Sequence, residues 1–174
     1  LITDHNVRET LGLTDRASLA GIVRAHEAAQ ATGVRLIVGC RLDLAEGASL
    51  LVYPTDKPAY SRLTRLLTLG KRRAGKGACR LCWDDLAEHG AGLVAVLGPN
   101  AAGEPPAADL ARLRARFPDR AYLALTRRFR AREHVRLAAL STLAQAAGVP
   151  TVATNDVLYH SAERRILQDV VTCI

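Results

Sequence analysis

Val34-Arg35-Leu36-Ile37-Val38-Gly39-Cys40-Arg41-Leu42-Asp43-Leu44 is the stretch that decides the fold. Its first half is apolar and β-branched, and from Cys40 onward the apolar residues fall on every second position, at Cys40, Leu42 and Leu44. Period two is the signature of a strand with one buried face. Gly33 stands just before it, and glycine is the residue that most readily closes a helix in the left-handed conformation. Upstream, Leu19, Ile22, Val23 and His26 share one face of a helix that Ser18 can cap and that runs through Ala31. A helix, a closing glycine and a buried strand make half of an α/β unit.

The same rhythm continues downstream. Ser49–Tyr53 (SLLVY) reads as a second strand closed by the Pro54-Thr55-Asp56 turn, and Gly92–Leu97, Arg120–Thr126 and Pro150–Thr154 read as three more. Helical periodicity fills the gaps. Lys57–Leu69 carries Tyr60, Leu63, Leu66 and Leu67 on one face, and Ala108–Phe117 is stopped by Pro118. Glu133–Ala147 is apolar at Leu137, Leu140, Ala144 and Ala147, and Ser161 can cap a last helix toward Val171. Alternating strands and helices predict a mostly parallel α/β sheet or barrel. Gly70–Ala78 and Pro99–Pro106 are expected to be the least ordered stretches, and neither is long enough to separate a pair of domains. A chain of 174 residues holds one well-buried core and is short for two.

Composition bounds the function classes. With 24 Lys+Arg against 17 Asp+Glu the formal charge is +7. That surplus fits a polyanion partner, and it fits equally a surface of solvated arginines. Aromatic residues make up 4%, which argues against base-stacking platforms. No apolar run reaches the ~20 residues a membrane span needs, so no membrane partner is expected. Four scattered cysteines fit reduced thiols in a cytoplasm. The chain lacks methionine and opens inside an apolar run, which suggests a piece of a longer protein.

In parallel α/β folds ligand groups gather beyond the carboxyl ends of the strands. Those positions carry Arg41, Arg127-Arg128 and Asn155-Asp156, a mainly cationic rim in which Asp156 is the one metal-type ligand. His5, His89 and His134 fall away from strand ends, His160 lies four residues beyond Asp156, and His26 sits on an apolar helix face where a packed histidine is expected. No catalytic metal is expected. Cys79-Arg80-Leu81-Cys82 is a lone CxxC without a second ligand pair, and Cys40 and Cys173 read as small core residues. The GxxxxGK[ST] phosphate loop and the GxSxG elbow are both missing. Gly70–Gly77 (GKRRAGKG) is a basic loop after a helix, and Lys71, Arg72, Arg73 and Lys76 are candidate phosphate or DNA contacts. A merely solvated loop is the other reading of those residues.

Several ordered motifs carry a family resemblance: Leu13-Thr14-Asp15-Arg16-Ala17-Ser18-Leu19-Ala20-Gly21, Leu36-Ile37-Val38-Gly39, Thr68-Leu69-Gly70-Lys71-Arg72-Arg73, Tyr122-Leu123-Ala124-Leu125-Thr126-Arg127 and Val152-Ala153-Thr154-Asn155-Asp156-Val157. Together they resemble the polymerase-and-histidinol-phosphatase (PHP) domain that opens bacterial C-family DNA polymerases. Leu158–Arg165 and Leu167–Val170 look like the error-prone, damage-tolerant branch. The resemblance covers residues 13–174 and implies a distorted (β/α)7-type barrel, incomplete at its amino end. It implies a metal-binding rim, and here the chain departs from the pattern. Asp15 and Asp156 match ligand positions, whereas Arg16, Arg41, Arg128 and Leu158 stand where the family's ligating His, Glu, His and His are expected. A guanidinium has no lone pair to donate. The expectation is therefore a degenerate site in which Arg16, Arg41 and Arg128 pair with Asp15 and Asp156.

Leu1–Ala17 additionally resembles the switch-histidine segment of the ATPase subunit of lipopolysaccharide-export ABC transporters, with His5 at the switch position. Residues 1–12 are accordingly set apart as a foreign or irregular segment, or alternatively as a duplicated family motif. Without a phosphate loop, ATPase activity is not expected. What the resemblance implies overall is a fragment of an error-prone, translesion DNA polymerase, acting as a metal-free structural domain without catalytic residues of its own. Its partners would be the remainder of the polymerase chain and, through it, DNA, and magnesium would belong to the parent enzyme. The alternative is a metal-dependent PHP phosphoesterase or 3′–5′ exonuclease.

Overall fold

The computed structural model describes residues 10–99, 105, 107–127, 131–155 and 161–173. In it, six strands form one sheet in sequence order: β1 (Thr10–Arg16), β2 (Arg35–Asp43), β3 (Ser49–Pro54), β4 (Leu93–Gly98), β5 (Ala121–Thr126) and β6 (Thr151–Thr154). Pairing is parallel for β1–β2, β4–β5 and β5–β6, and antiparallel on both sides of β3. Five strands therefore point one way and β3 alone runs back. The sheet curls into half a barrel. β1 is a strand the sequence did not announce. Thr10, Leu11 and Gly12, from the segment set apart at its start, pair with Arg35, Leu36 and Ile37.

The helices are α1 (Ile22–Thr32), α2 (Lys57–Arg72), α3 (Trp83–His89), α4 (Ala107–Arg116), α5 (Glu133–Ala147) and α6 (Arg165–Thr172), the last preceded by a 3-10 turn over Ala162–Arg164. Gly33 closes α1 with φ of 73°, in the left-handed region that costs glycine least. The start of α1 differs from expectation. Ser18 Oγ accepts the Ala20 N–H, but the helix begins at Ile22, and it is the Asp15 carboxylate that accepts the Gly21 N–H at 3.2 Å. Val23 and His26 are exposed, so the expected packed histidine is a surface residue. α2 runs to Arg72, three residues past its expected end, so Lys71 and Arg72 belong to its last turn rather than to a loop. Asp56 caps it by accepting the Ala59 N–H at 2.7 Å.

Alternation along the strands divides the sheet into two faces. Leu42, Leu50, Val52, Ala95, Leu97 and Leu123 point to the helical side, where they meet Leu63, Leu66, Leu86, Leu110, Leu113 and Leu140 in the core. Burying one such leucine is worth about 1.5–3 kcal/mol, so this layer holds the fold together. The inner face carries Ile37, Leu51, Tyr53, Val94, Val96 and Tyr122 around an open cavity of about 510 Å³. Gly39 is required there. A Cβ at that position would stand 2.6 Å from the Tyr53 ring and 2.7 Å from the Thr14 methyl.

Candidate functional site

Register places the polar rim. Arg16 sits beside Arg41, and Asp43 sits beside Ser49, which in turn faces Gly98. Further round, Thr126 pairs with Thr154. All of these residues are on the inner face, at the carboxyl ends of β1, β2, β4, β5 and β6 and at the amino end of the reversed β3. The sequence placed Arg41 beyond its strand; it is two residues inside β2.

At this rim one carboxylate gathers two cations. Asp43 Oδ2 is 2.8 Å from Arg16 Nε, and Asp43 Oδ1 is 3.2 Å from Arg41 Nε. Ser49 Oγ donates to Asp43 Oδ1 at 2.7 Å and accepts from Arg41 Nε at 3.0 Å. Burial pushes the Asp43 carboxyl up, but the Ser49 hydroxyl and the Arg41 and Arg16 guanidiniums outweigh it and hold it below its ordinary value of 3.8. The expected partners were Asp15 and Asp156; the Asp15 carboxylate instead accepts the Gly21 N–H ahead of α1, and Asp156 is not among the described residues. The reason is register: Asp15 points to the opposite face of β1 from Arg16, whereas Arg41 and Asp43 are two apart on β2 and share a face. Arg128, Asp156 and Leu158 lie outside the described residues, as do His5 and His160.

Beside this network lies a small cavity of about 100 Å³ bounded by Arg41, Ser49, Thr126, Thr154 and Asn155. The Thr126 and Thr154 hydroxyls share a hydrogen bond of 2.6 Å. Under β5, Glu133 is buried at the start of α5 with Arg136 3.3 Å and Arg127 3.9 Å away, and Arg136 also donates to the Thr126 carbonyl. Among the described residues, no three His, Cys, Asp or Glu side chains come together as a metal could use them. Asp43, committed to two guanidiniums and a hydroxyl, does not suit a divalent ion either, so the described stretch of the rim does not fit the cluster that the family resemblance implies.

The basic segment after β3 divides into two sets. Arg73 Nη1 donates to both oxygens of the buried Asp85, at 2.7 and 2.8 Å, so its guanidinium is engaged within the chain while its side chain stays 45% exposed. Asp85 is 6% exposed. Burial raises its pKa, while the Cys82 N–H, Arg73 and the Cys82 thiol together lower it by more, for a net fall. Cys82 thus caps α3, a helix that the periodicity did not reveal, while Cys79 packs against the core beside Gly70. Cys40 is fully buried as expected, but Cys173 is exposed. Lys71, Arg72 and Lys76 remain; Lys71 and Lys76 line, with Arg16, a groove of about 350 Å³ between the β1–α1 loop and the end of α2, and Arg72, in the last turn of α2, is not part of that lining.

A curled α/β half-barrel with its polar residues ringed at the strand ends is one arrangement of the PHP domain, whose family matches residues 2–154; the chain belongs to that family. Within it, the sequence is similar to error-prone DNA polymerases. It is 60% identical over 166 residues to error-prone DNA polymerase 1 of Agrobacterium fabrum, covering 95% of this chain and 15% of that protein. It is 48% identical over 166 residues to the error-prone DNA polymerase of Caulobacter vibrioides, covering 94% of this chain and again 15% of the relative. The chain thus spans about 15% of the length of these relatives. A solved structure described as a metal-dependent phosphoesterase from Bifidobacterium adolescentis superposes with a TM-score of 0.57 at 12% identity, over 86% of this chain and 77% of the other. At that identity the likeness shows the fold alone.

Proposed function

We propose that this chain serves as a metal-free structural domain of an error-prone DNA polymerase, supporting the parent's synthesis across damaged template without catalysing any step itself. The observation that carries this reading is the Arg16–Asp43–Arg41 network: the carboxylate at the rim neutralises guanidiniums instead of being open to a metal ion. Sequence identity to error-prone polymerases over nearly the whole chain supports the assignment of the parent. In this reading the rest of the polymerase is the partner, the location is the cytoplasm, and the magnesium-dependent transfer of nucleotides belongs to other regions of the parent chain.

The test is metal analysis of the purified chain after exposure to zinc and manganese, with a phosphodiesterase assay on recessed and mismatched 3′ ends. The expected result is no stoichiometric metal and no turnover. Tight uptake of two or three ions per chain with metal-dependent cleavage would instead favour a phosphoesterase or 3′–5′ exonuclease.

A further inference from the structure

We infer that the groove between the β1–α1 loop and the end of α2 binds the phosphate backbone of a DNA strand directly. The inference rests on the proposed role in a DNA polymerase and adds a contact surface to it. The groove is built by segments distant in sequence. Arg16 and Ser18 come from one wall, Lys71 from the last turn of α2, and Lys76 from the glycine-rich turn beyond it. Its lining carries these three cations and no carboxylate. Chelation of Arg16 Nε by Asp43 weakens one of the three without cancelling it, because the same Asp43 is shared with Arg41.

Two backbone features point the same way. The turn Gly75–Ala78 closes through the Ala78 N–H to the Gly75 carbonyl at 3.0 Å, with Gly77 at φ of 84°. The N–H groups of Gly75, Lys76 and Gly77 find no partner among the described residues, and successive unpaired amides in such a turn form a concavity that suits oxyanions. On the opposite wall, Ala17 holds φ of 48°, a conformation costly to a residue with a Cβ. It is kept there by its N–H bonding the Arg41 carbonyl at 2.8 Å, which fixes the chain between Arg16 and Ser18. The end of α2 would by itself repel an anion, since helix carbonyls point outward there. Lys71 and Arg72 in that turn reverse the sign.

This chemistry selects a partner. Point charges and amides recognise phosphates without reading bases. A groove without an aromatic residue in its lining offers no stacking, so binding should be independent of sequence and sensitive to salt. Two to three phosphate contacts correspond to a slope of log K against log salt of roughly −2 for a single strand.

The test is fluorescence anisotropy of the chain with a labelled 20-nucleotide DNA strand between 25 and 200 mM salt. Saturable binding with that slope is expected. The double variant Lys71→Gln, Lys76→Gln should lose at least tenfold in affinity at low salt and most of the slope. Lys57→Gln, at the far end of α2, should change neither. Circular dichroism melts of each variant exclude loss of fold, and Gly77→Ala offers a second probe that leaves every charge in place. No saturable binding, or binding that the Lys71/Lys76 pair does not alter, overturns the inference. Metal uptake in the separate assay would overturn the metal-free role and leave this groove untouched.

Discussion

Arg41 Nε lies 3.2 Å from Asp43 Oδ1, two residues further along the same strand, so both side chains rise from one face of β2 and meet over Ser49. Arg16 reaches the other oxygen of the same carboxylate from β1. Removing the carboxylate leaves two guanidiniums facing each other. Asp43→Asn should destabilise the chain by about 1–3 kcal/mol in chemical denaturation. Arg16→Gln, with a side chain that is 70% exposed, should cost no more than ~1 kcal/mol.

Arg41→Glu is a sharper form of the same test. It sets a second carboxylate against Asp43 and Ser49 in place of a partner that is only 25% exposed. The loss should exceed the ~1 kcal/mol of a surface pair. A loss no larger than that would mean the rim network contributes nothing to stability.

Acid should unfold the protein through Asp43 and Asp85. Both carboxyls lie below their ordinary value of 3.8 in the folded chain, so the unfolded state binds protons first as the pH falls. Their contribution is fully present above about pH 5 and is lost as the pH drops through 4 and below. Urea midpoints measured from pH 7 to 3 should fall, and Asp85→Asn should flatten some of the decline.

Alkali acts through Cys40. Burial lifts its thiol from 9.0 to about 11, with the Ser18 backbone opposing and Cys79 and Asp15 adding to the rise. The folded thiol stays protonated where the unfolded one ionises. Stability should therefore decline from pH 9 to 11, by on the order of 2 kcal/mol from this group, and Cys40→Ala should remove that slope.

Gly39→Ala tests the inner face. The added methyl meets the Tyr53 ring at 2.6 Å, so a loss of about 1–3 kcal/mol is expected. Tyr53→Leu in the same chain should recover some of it, a coupling readable from a double-mutant cycle.

Period and punctuation made much of this fold readable. α5 keeps the bounds that its apolar spacing and Gly148 announce, and β2 is the strand that Val34–Leu44 described. α3 escaped because seven residues hold too few turns to show a period, although Cys82 and Asp85 form its capping pair. β1 escaped because its sequence, TLGLTDR, ends in charges that look like a loop. Asp43 was missed for a different reason. A search beyond strand ends sees single strands, whereas Asp43 gains its partners from the register of β2 against β1 and β3. Likewise nothing local in Arg73 tells that Asp85, twelve residues on, claims it.

Among the described residues β6 (Thr151–Thr154) closes the sheet on one side, and its outer peptide groups meet no described neighbouring strand. Such margins are adhesive: any extended polypeptide, including a second molecule of the same kind, can zip onto them. Concentrated solutions of the chain should consequently oligomerise through strand addition along β6, and lysine introduced at Ala153, exposed on that strand, should keep it monomeric.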